Sequence, residues 1–113
     1  MHELSIALSI VDIAEEEVRK AGAQQVDRIE LDIGNLSGVE IDALEFIWNE
    51  AVRSSVLEKA ERLINRIPGK AKCMECSEEF EMKQLFDACP RCHQYFNDIL
   101  QGKELKVKSL TVT

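Results

Sequence analysis

At 113 residues, 45% of them apolar, the chain is long enough for one modest domain carrying a small insertion. Its 21 acidic against 14 basic side chains give a net charge of −7 with no basic stripe, which argues against nucleic acid, because that binding needs Lys and Arg to neutralise phosphates. No apolar run reaches the roughly 20 residues of a membrane span, and no basic stretch precedes the first apolar residues. The chain is therefore expected in the cytoplasm, without a membrane partner and with its cysteines reduced.

The first predicted element is a helix over residues 4–21. Leu4, Ala7, Leu8, Val11, Ala14 and Val18 fall on one face, widened by Ile6, Ile10 and Ile13. Glu15, Glu16, Glu17, Arg19 and Lys20 lie mostly opposite, and Gly22 is placed to end the helix. Ile29-Glu30-Leu31-Asp32-Ile33 then alternates as a strand with one buried face does. Gly34 and Gly38 bracket a turn, and Ser37-Gly38-Val39-Glu40 reads as a capping box opening a second helix. The buried stripe of that helix is expected at Ile41, Leu44, Ile47, Trp48, Ala51 and Val52.

A second strand follows over residues 60–67 and is broken by Pro68-Gly69. The stretch from Lys70 to Tyr95 has too few apolar side chains to form a core alone. After a turn at Gln101-Gly102, a third strand runs from Leu105 to Val112, and its apolar phase slips between Val107 and Leu110, which implies a bulge or a change of face. The expected class is α+β: two helices packed on one face of a small antiparallel three-stranded sheet, with an inserted four-cysteine zinc ribbon. The expected division is an α+β domain from 1–69 and 98–113, and a zinc-binding domain over 70–97.

The inserted stretch holds Cys73-Met74-Glu75-Cys76 and Cys89-Pro90-Arg91-Cys92, separated by twelve residues. Two thiolates two residues apart turn back toward one ion, and two such knuckles close a tetrahedron around Zn²⁺ with no position left for water. Such a site is structural, and about 10–16 kcal/mol of zinc binding replaces what burial lacks here. A redox CxxC occurs once, after a strand and opening a helix, so the paired knuckles point to zinc rather than disulfide. His93, next to Cys92, is an alternative ligand, although four cysteines already suffice.

Other chemistry is sparse. There is no phosphate-binding loop, dinucleotide glycine pattern or nucleophile elbow, and only two histidines are present. The chain is not expected to be an enzyme. The remaining metal candidate is the start, Met1-His2-Glu3. With Met1 retained ahead of a bulky histidine, the Met1 amine, the His2 backbone nitrogen and the His2 imidazole Nδ1 can chelate one ion through a five- and a six-membered ring. Ionising an amide nitrogen requires a strongly polarising ion that favours planar nitrogen donors, Ni²⁺ or Cu²⁺. Three donors leave at least one position open, for the Glu3 backbone or carboxylate, another side chain or a partner. Glu40 is open to two readings, an added carboxylate ligand or part of the capping box.

Met1-His2-Glu3 leading into a helix, then Ile33-Gly34-Asn35-Leu36-Ser37-Gly38-Val39, then two CxxC pairs, resembles the HypA/HybF family over essentially the whole chain. Those proteins are nickel metallochaperones for [NiFe]-hydrogenase maturation. The resemblance implies that His2, with Met1 and Glu3 beside it, carries Ni²⁺, and that Cys73, Cys76, Cys89 and Cys92 hold structural zinc. It implies as partners the maturation GTPase HypB and the hydrogenase large-subunit precursor, with urease maturation proteins as further partners in some relatives. An acidic residue near position 40 is common in the family, and Glu40 matches it. The competing reading is an interaction module whose ribbon docks a partner while His2 is idle.

Overall fold

The computed structural model describes residues 2–113. Helix α1 (Glu3–Ala21) ends where Gly22 takes the left-handed conformation, φ 63°, and the Ala23 N–H closes onto the Val18 carbonyl at 3.0 Å. Its buried stripe is Ala7, Ile10, Ala14 and Val18. Leu4, Leu8 and Ile13, expected to share the core, stay 46–47% exposed. One neighbouring helix and a narrow sheet cover only a single three-to-four-residue stripe, and an apolar groove lined by Ile10, Ile13 and Val107 remains open beside α1.

The central strand β1 (Val26–Gly34) is flanked by β2 (Glu61–Ile67) and β6 (Leu105–Val112). The three-stranded sheet and its helical cover match expectation, but β1 and β2 pair in parallel, from Arg28↔Glu61 to Gly34↔Ile67, so the sheet is mixed rather than antiparallel. The cause lies between them. Helix α2 (Ile41–Ala51) carries the chain back across the sheet, and such a crossover delivers the next strand parallel to the first. Only β6 runs antiparallel to β1. Ile41, Leu44, Trp48 and Val52 are buried as expected, Ile47 and Ala51 partly so, and the Arg62 guanidinium lies over the Trp48 ring at 5.5 Å.

Two bulges reconcile the apolar phase with the pleat. Glu30 faces Ser109 while Leu31 faces Val107, which leaves Lys108 unpaired and turns Val107, Leu110 and Val112 toward the core despite their uneven spacing. This is the slip read from the sequence. A second shift leaves Asp27 unpaired and lets Val26 and Ile29 both be buried.

The ribbon forms its own antiparallel sheet from β3 (Lys70–Cys73), β4 (Glu79–Glu81) and β5 (Asn97–Gln101), in the order β4-β3-β5. Its small core is Ala71 and Met82, with Phe80 and Ile99 alongside, and it is completed by Leu36 from the loop between β1 and α2. Both strand connections cross the junction beside that loop. The Leu36 N–H donates to the Gly102 carbonyl at 2.7 Å, and the Asn35 N–H to that of Ile67 at 2.9 Å. Three glycines allow this approach. A Cβ on Gly34 would meet the Gly102 carbonyl oxygen at 1.9 Å, one on Gly69 the Met82 oxygen at 2.2 Å, and Gly102 has φ +119°. Gly34→Ala should therefore force the two sheets apart and destabilise the protein by about 3 kcal/mol, read as a lower midpoint in urea unfolding.

Candidate metal centres

Cys73 ends β3, and after it the chain turns tightly. The Cys73 N–H donates to the Glu78 carbonyl at 2.8 Å and the Ser77 N–H to the Cys73 carbonyl at 2.9 Å. The second knuckle repeats this pattern, with the Cys89 N–H on the Gln94 carbonyl at 2.9 Å and the His93 N–H on the Cys89 carbonyl at 2.8 Å. Ser77 and His93 both have φ 63°. His93 is thus the counterpart of Ser77, an exposed turn residue, and it does not join the sulfur cluster.

The four sulfurs lie within 4.8 Å of one another, with Cys73 and Cys92 at 3.4 Å and Cys76 and Cys89 at 3.6 Å. A tetrahedron of sulfurs about 2.3 Å from Zn²⁺ has edges of about 3.8 Å, whereas a disulfide needs about 2.05 Å. The arrangement fits one tetrahedral ion. Cys73 and Cys89 are buried, Cys76 and Cys92 partly exposed.

Backbone amides prepare the sulfurs for charge. The N–H of Cys76, and after it that of Glu75, aims at the Cys73 sulfur and holds its pKa down to about 7. At Cys92 the Gln94 amide also lowers the pKa, but desolvation and the three neighbouring sulfurs outweigh it and push the thiol up to about 12. At Cys76 the Glu78 amide and the Cys92 sulfur lower the pKa, but desolvation and the Cys89 and Cys73 sulfurs outweigh them and raise it. At neutral pH an incoming ion must expel the protons of at least Cys76 and Cys92. Zinc uptake at pH 7 should release two or more protons into a weak buffer, and affinity should fall as pH falls. Uptake without proton release would mean that the ion does not meet all four sulfurs.

The second candidate gathers at the helix starts. Met1 lies outside the described residues. His2 is the N-cap of α1, with extended backbone and no side-chain cap, and its carbonyl accepts the Ile6 N–H at 3.1 Å. The imidazole is exposed. Glu3 is the first helical residue, and its Oε2 accepts the N–H of Glu40 at 3.1 Å. That bond, the largest influence on it, holds the Glu3 carboxyl below the usual carboxylate range. The link is therefore fully present above that range and is lost as pH falls through the depressed value.

The expected capping box does not form. Ser37 Oγ accepts the Val39 N–H at 3.2 Å, Gly38 turns the chain at φ 83°, and the helix begins only at Ile41 with Glu40 as its N-cap. The Glu40 carboxylate makes no capping bond. Two N-caps, His2 and Glu40, thus stand at adjacent helix starts joined through Glu3, beside an open hollow lined by His2, Glu3, Leu4, Ala43 and Phe46. Helix N-termini carry partial positive charge, so a cation here needs the carboxylates of Glu3, Glu40 and Asp42 to offset the field.

Sequence reasoning missed the Glu3–Glu40 link, whose partners are 37 residues apart, and the insertion of Leu36 into the ribbon core. The paired left-handed residues were accessible, since Ser77 and His93 each directly follow the second cysteine of a knuckle.

Four cysteine sulfurs within 4.8 Å of one another, spaced for one tetrahedral ion, make this a metal-binding protein. The comparisons agree. The model of a family described as hydrogenase/urease nickel incorporation, metallochaperone, hypA, matches residues 1–112. A hydrogenase maturation factor HypA from Parabacteroides distasonis is 49% identical over 99% of this chain and 97% of that protein. One from Geobacter metallireducens is 43% identical over 99% of each. The solution structure of the Ni metallochaperone HypA from Helicobacter pylori superposes with a TM-score of 0.69 at 27% identity, covering 99% of this chain and 97% of that one. The chain belongs to the HypA family of nickel-incorporation metallochaperones. Its part is metal handling in maturation, not catalysis. Among the described residues no helix is long and apolar enough to cross a membrane.

Proposed function

We propose that this protein carries Ni²⁺ at its start and delivers it during [NiFe]-hydrogenase maturation in the cytoplasm. In this reading the Met1 amine, the His2 backbone nitrogen and the His2 imidazole grip the ion, with Glu3 and Glu40 completing or screening the set. Cys73, Cys76, Cys89 and Cys92 hold structural zinc. HypB is the GTPase partner and the hydrogenase large-subunit precursor the recipient, with urease maturation proteins as a further destination. The residues divide accordingly, 1–69 with 98–113 serving nickel and 70–97 zinc.

The observation that carries the reading is the Glu3 carboxylate on the Glu40 amide, which ties the start of the second helix to the residue that follows His2. Helix geometry helps too. The first backbone N–H groups of a helix have no partner within it, so ionising the amides of His2 and Glu3 to bind metal breaks no helical bond. An exposed, incompletely enclosed ion leaves more easily than a caged one, as cargo must.

The test is nickel loading, dialysis and metal analysis. Zinc plus nickel supports the carrier. Zinc alone would make the protein an interaction module instead. Because the reading uses a free Met1 amine, adding residues before Met1 should weaken nickel retention and leave zinc unchanged.

A further inference from the structure

The chain has six aromatic residues, and three of them stand on the ribbon surface: Phe86 at 84%, Tyr95 at 71% and Phe96 at 69% exposed. With Leu85, Ile99 and Lys103 they line one hollow of about 240 Å³. The cluster is held in place rather than loose. The Asp87 carboxylate accepts the N–H groups of Lys83 and Gln84 at 2.9 and 3.0 Å, and Asn97 Nδ2 donates to the Asp87 carbonyl at 3.0 Å, which fixes the turn bearing Leu85 and Phe86. Phe86 has φ 70°, a conformation unfavourable for an aromatic side chain, and it faces solvent there. This turn leads into Cys89, and Tyr95-Phe96 follow Cys92, so the metal knuckle anchors both sides of the hollow.

Charge says what fits. On a chain of net charge −7, the one charged residue lining the hollow is a lysine, Lys103. The nearby carboxylates are directed elsewhere: Asp87 into its turn, Glu104 onto the Gly102 N–H at 2.8 Å. Asp98 alternates to the opposite face of β5 from Asn97 and Ile99, which line the hollow. Beside it, β5 pairs on one side only, with β3, leaving its other edge available to another strand.

We propose that this hollow is a docking site for an extended acidic peptide segment of a partner protein, a large apolar side chain entering among Phe86, Tyr95 and Phe96 and a carboxylate meeting Lys103. The segment lies along β5. A second copy of this chain is the competing occupant, and the test below separates the two. The inference stands apart from the nickel reading and survives its failure.

The test is an NMR titration of the zinc-loaded full chain with two acetylated octapeptides. Each has a Leu-Phe pair at its centre, flanked in one by Asp and Glu and in the other by Lys. The acidic peptide should shift the amide signals of Leu85, Phe86, Phe96, Ile99 and Lys103 and leave those of His2 and Phe46 in place. Phe86→Asn, which suits the left-handed backbone and so protects the fold, should weaken binding by at least about ten-fold. Lys103→Glu should reverse the preference toward the lysine-flanked peptide. No shift with either peptide at millimolar concentration, shifts centred on Phe46, or equal binding of both peptides before and after Lys103→Glu would each overturn the proposal. So would self-association that Phe86→Asn abolishes, because it would assign the hollow to a second copy.

Discussion

Replacing His2 by Ala should lower nickel affinity by at least about 100-fold, about 2.7 kcal/mol, while zinc content and circular dichroism stay unchanged. The imidazole is exposed and makes no capping bond, so its removal disturbs neither α1 nor the core. Its loss opens the six-membered chelate ring and leaves too few planar donors to draw a proton from an amide nitrogen. Titration calorimetry separates the outcomes. An unchanged affinity would move the ion elsewhere, and the sulfur cluster is the only group of three or more metal-ligating side chains found together among the described residues. Glu40→Gln in parallel asks whether that carboxylate is a ligand or only offsets the charge of the helix starts. A ligand should show a changed absorption spectrum of the nickel complex, a charge effect only a smaller fall in affinity.

Cys89→Ser should abolish stable zinc binding and unfold the ribbon sheet while the first sheet and its helices persist. The ribbon core amounts to Leu36, Ala71 and Met82 with Phe80 and Ile99 at its margin, far too little to hold three strands of three to five residues. Zinc supplies about 10–16 kcal/mol to such a fold, and three sulfurs retain only part of that. The chain offers its own reporters, because its single tryptophan is buried in the helix-covered core and its single tyrosine lies between the second knuckle and β5. Both helices belong to the first core, so the helical signal should remain. Trp48 emission should stay blue while the amide signals of residues 70–101 collapse toward random-coil positions. A red shift of Trp48 together with zinc loss would show that the two sheets fold as one cooperative unit.

The sequence was most informative where periodicity and burial coincide. The alternation of Ile29, Leu31 and Ile33 located β1, helical spacing located α1 and α2, and the phase slip in β6 marked the stretch where the Lys108 bulge lies, though a change of face would have given the same slip. Paired CxxC units named the sulfur cluster, because ligand spacing is local. What stayed hidden depends on residues far apart in the chain. Alternation fixes which face of a strand is buried but not the direction of its neighbour, so the parallel pairing of β1 and β2 was not legible. Ser37 and Glu40 have the residue types of a capping box, yet a carboxylate 37 residues away takes the Glu40 amide and a left-handed Gly38 delays the helix start. Local propensity was overruled by a tertiary bond.

Leu36 has a consequence for anyone wishing to graft the ribbon onto another scaffold. A cassette cut at the strand connections would leave behind the side chain that seals it, exposing Met82 and Ala71 to water however tightly the ion is held. The transplant must bring its own substitute for Leu36, together with a host loop lacking any Cβ where Gly34 meets Gly102.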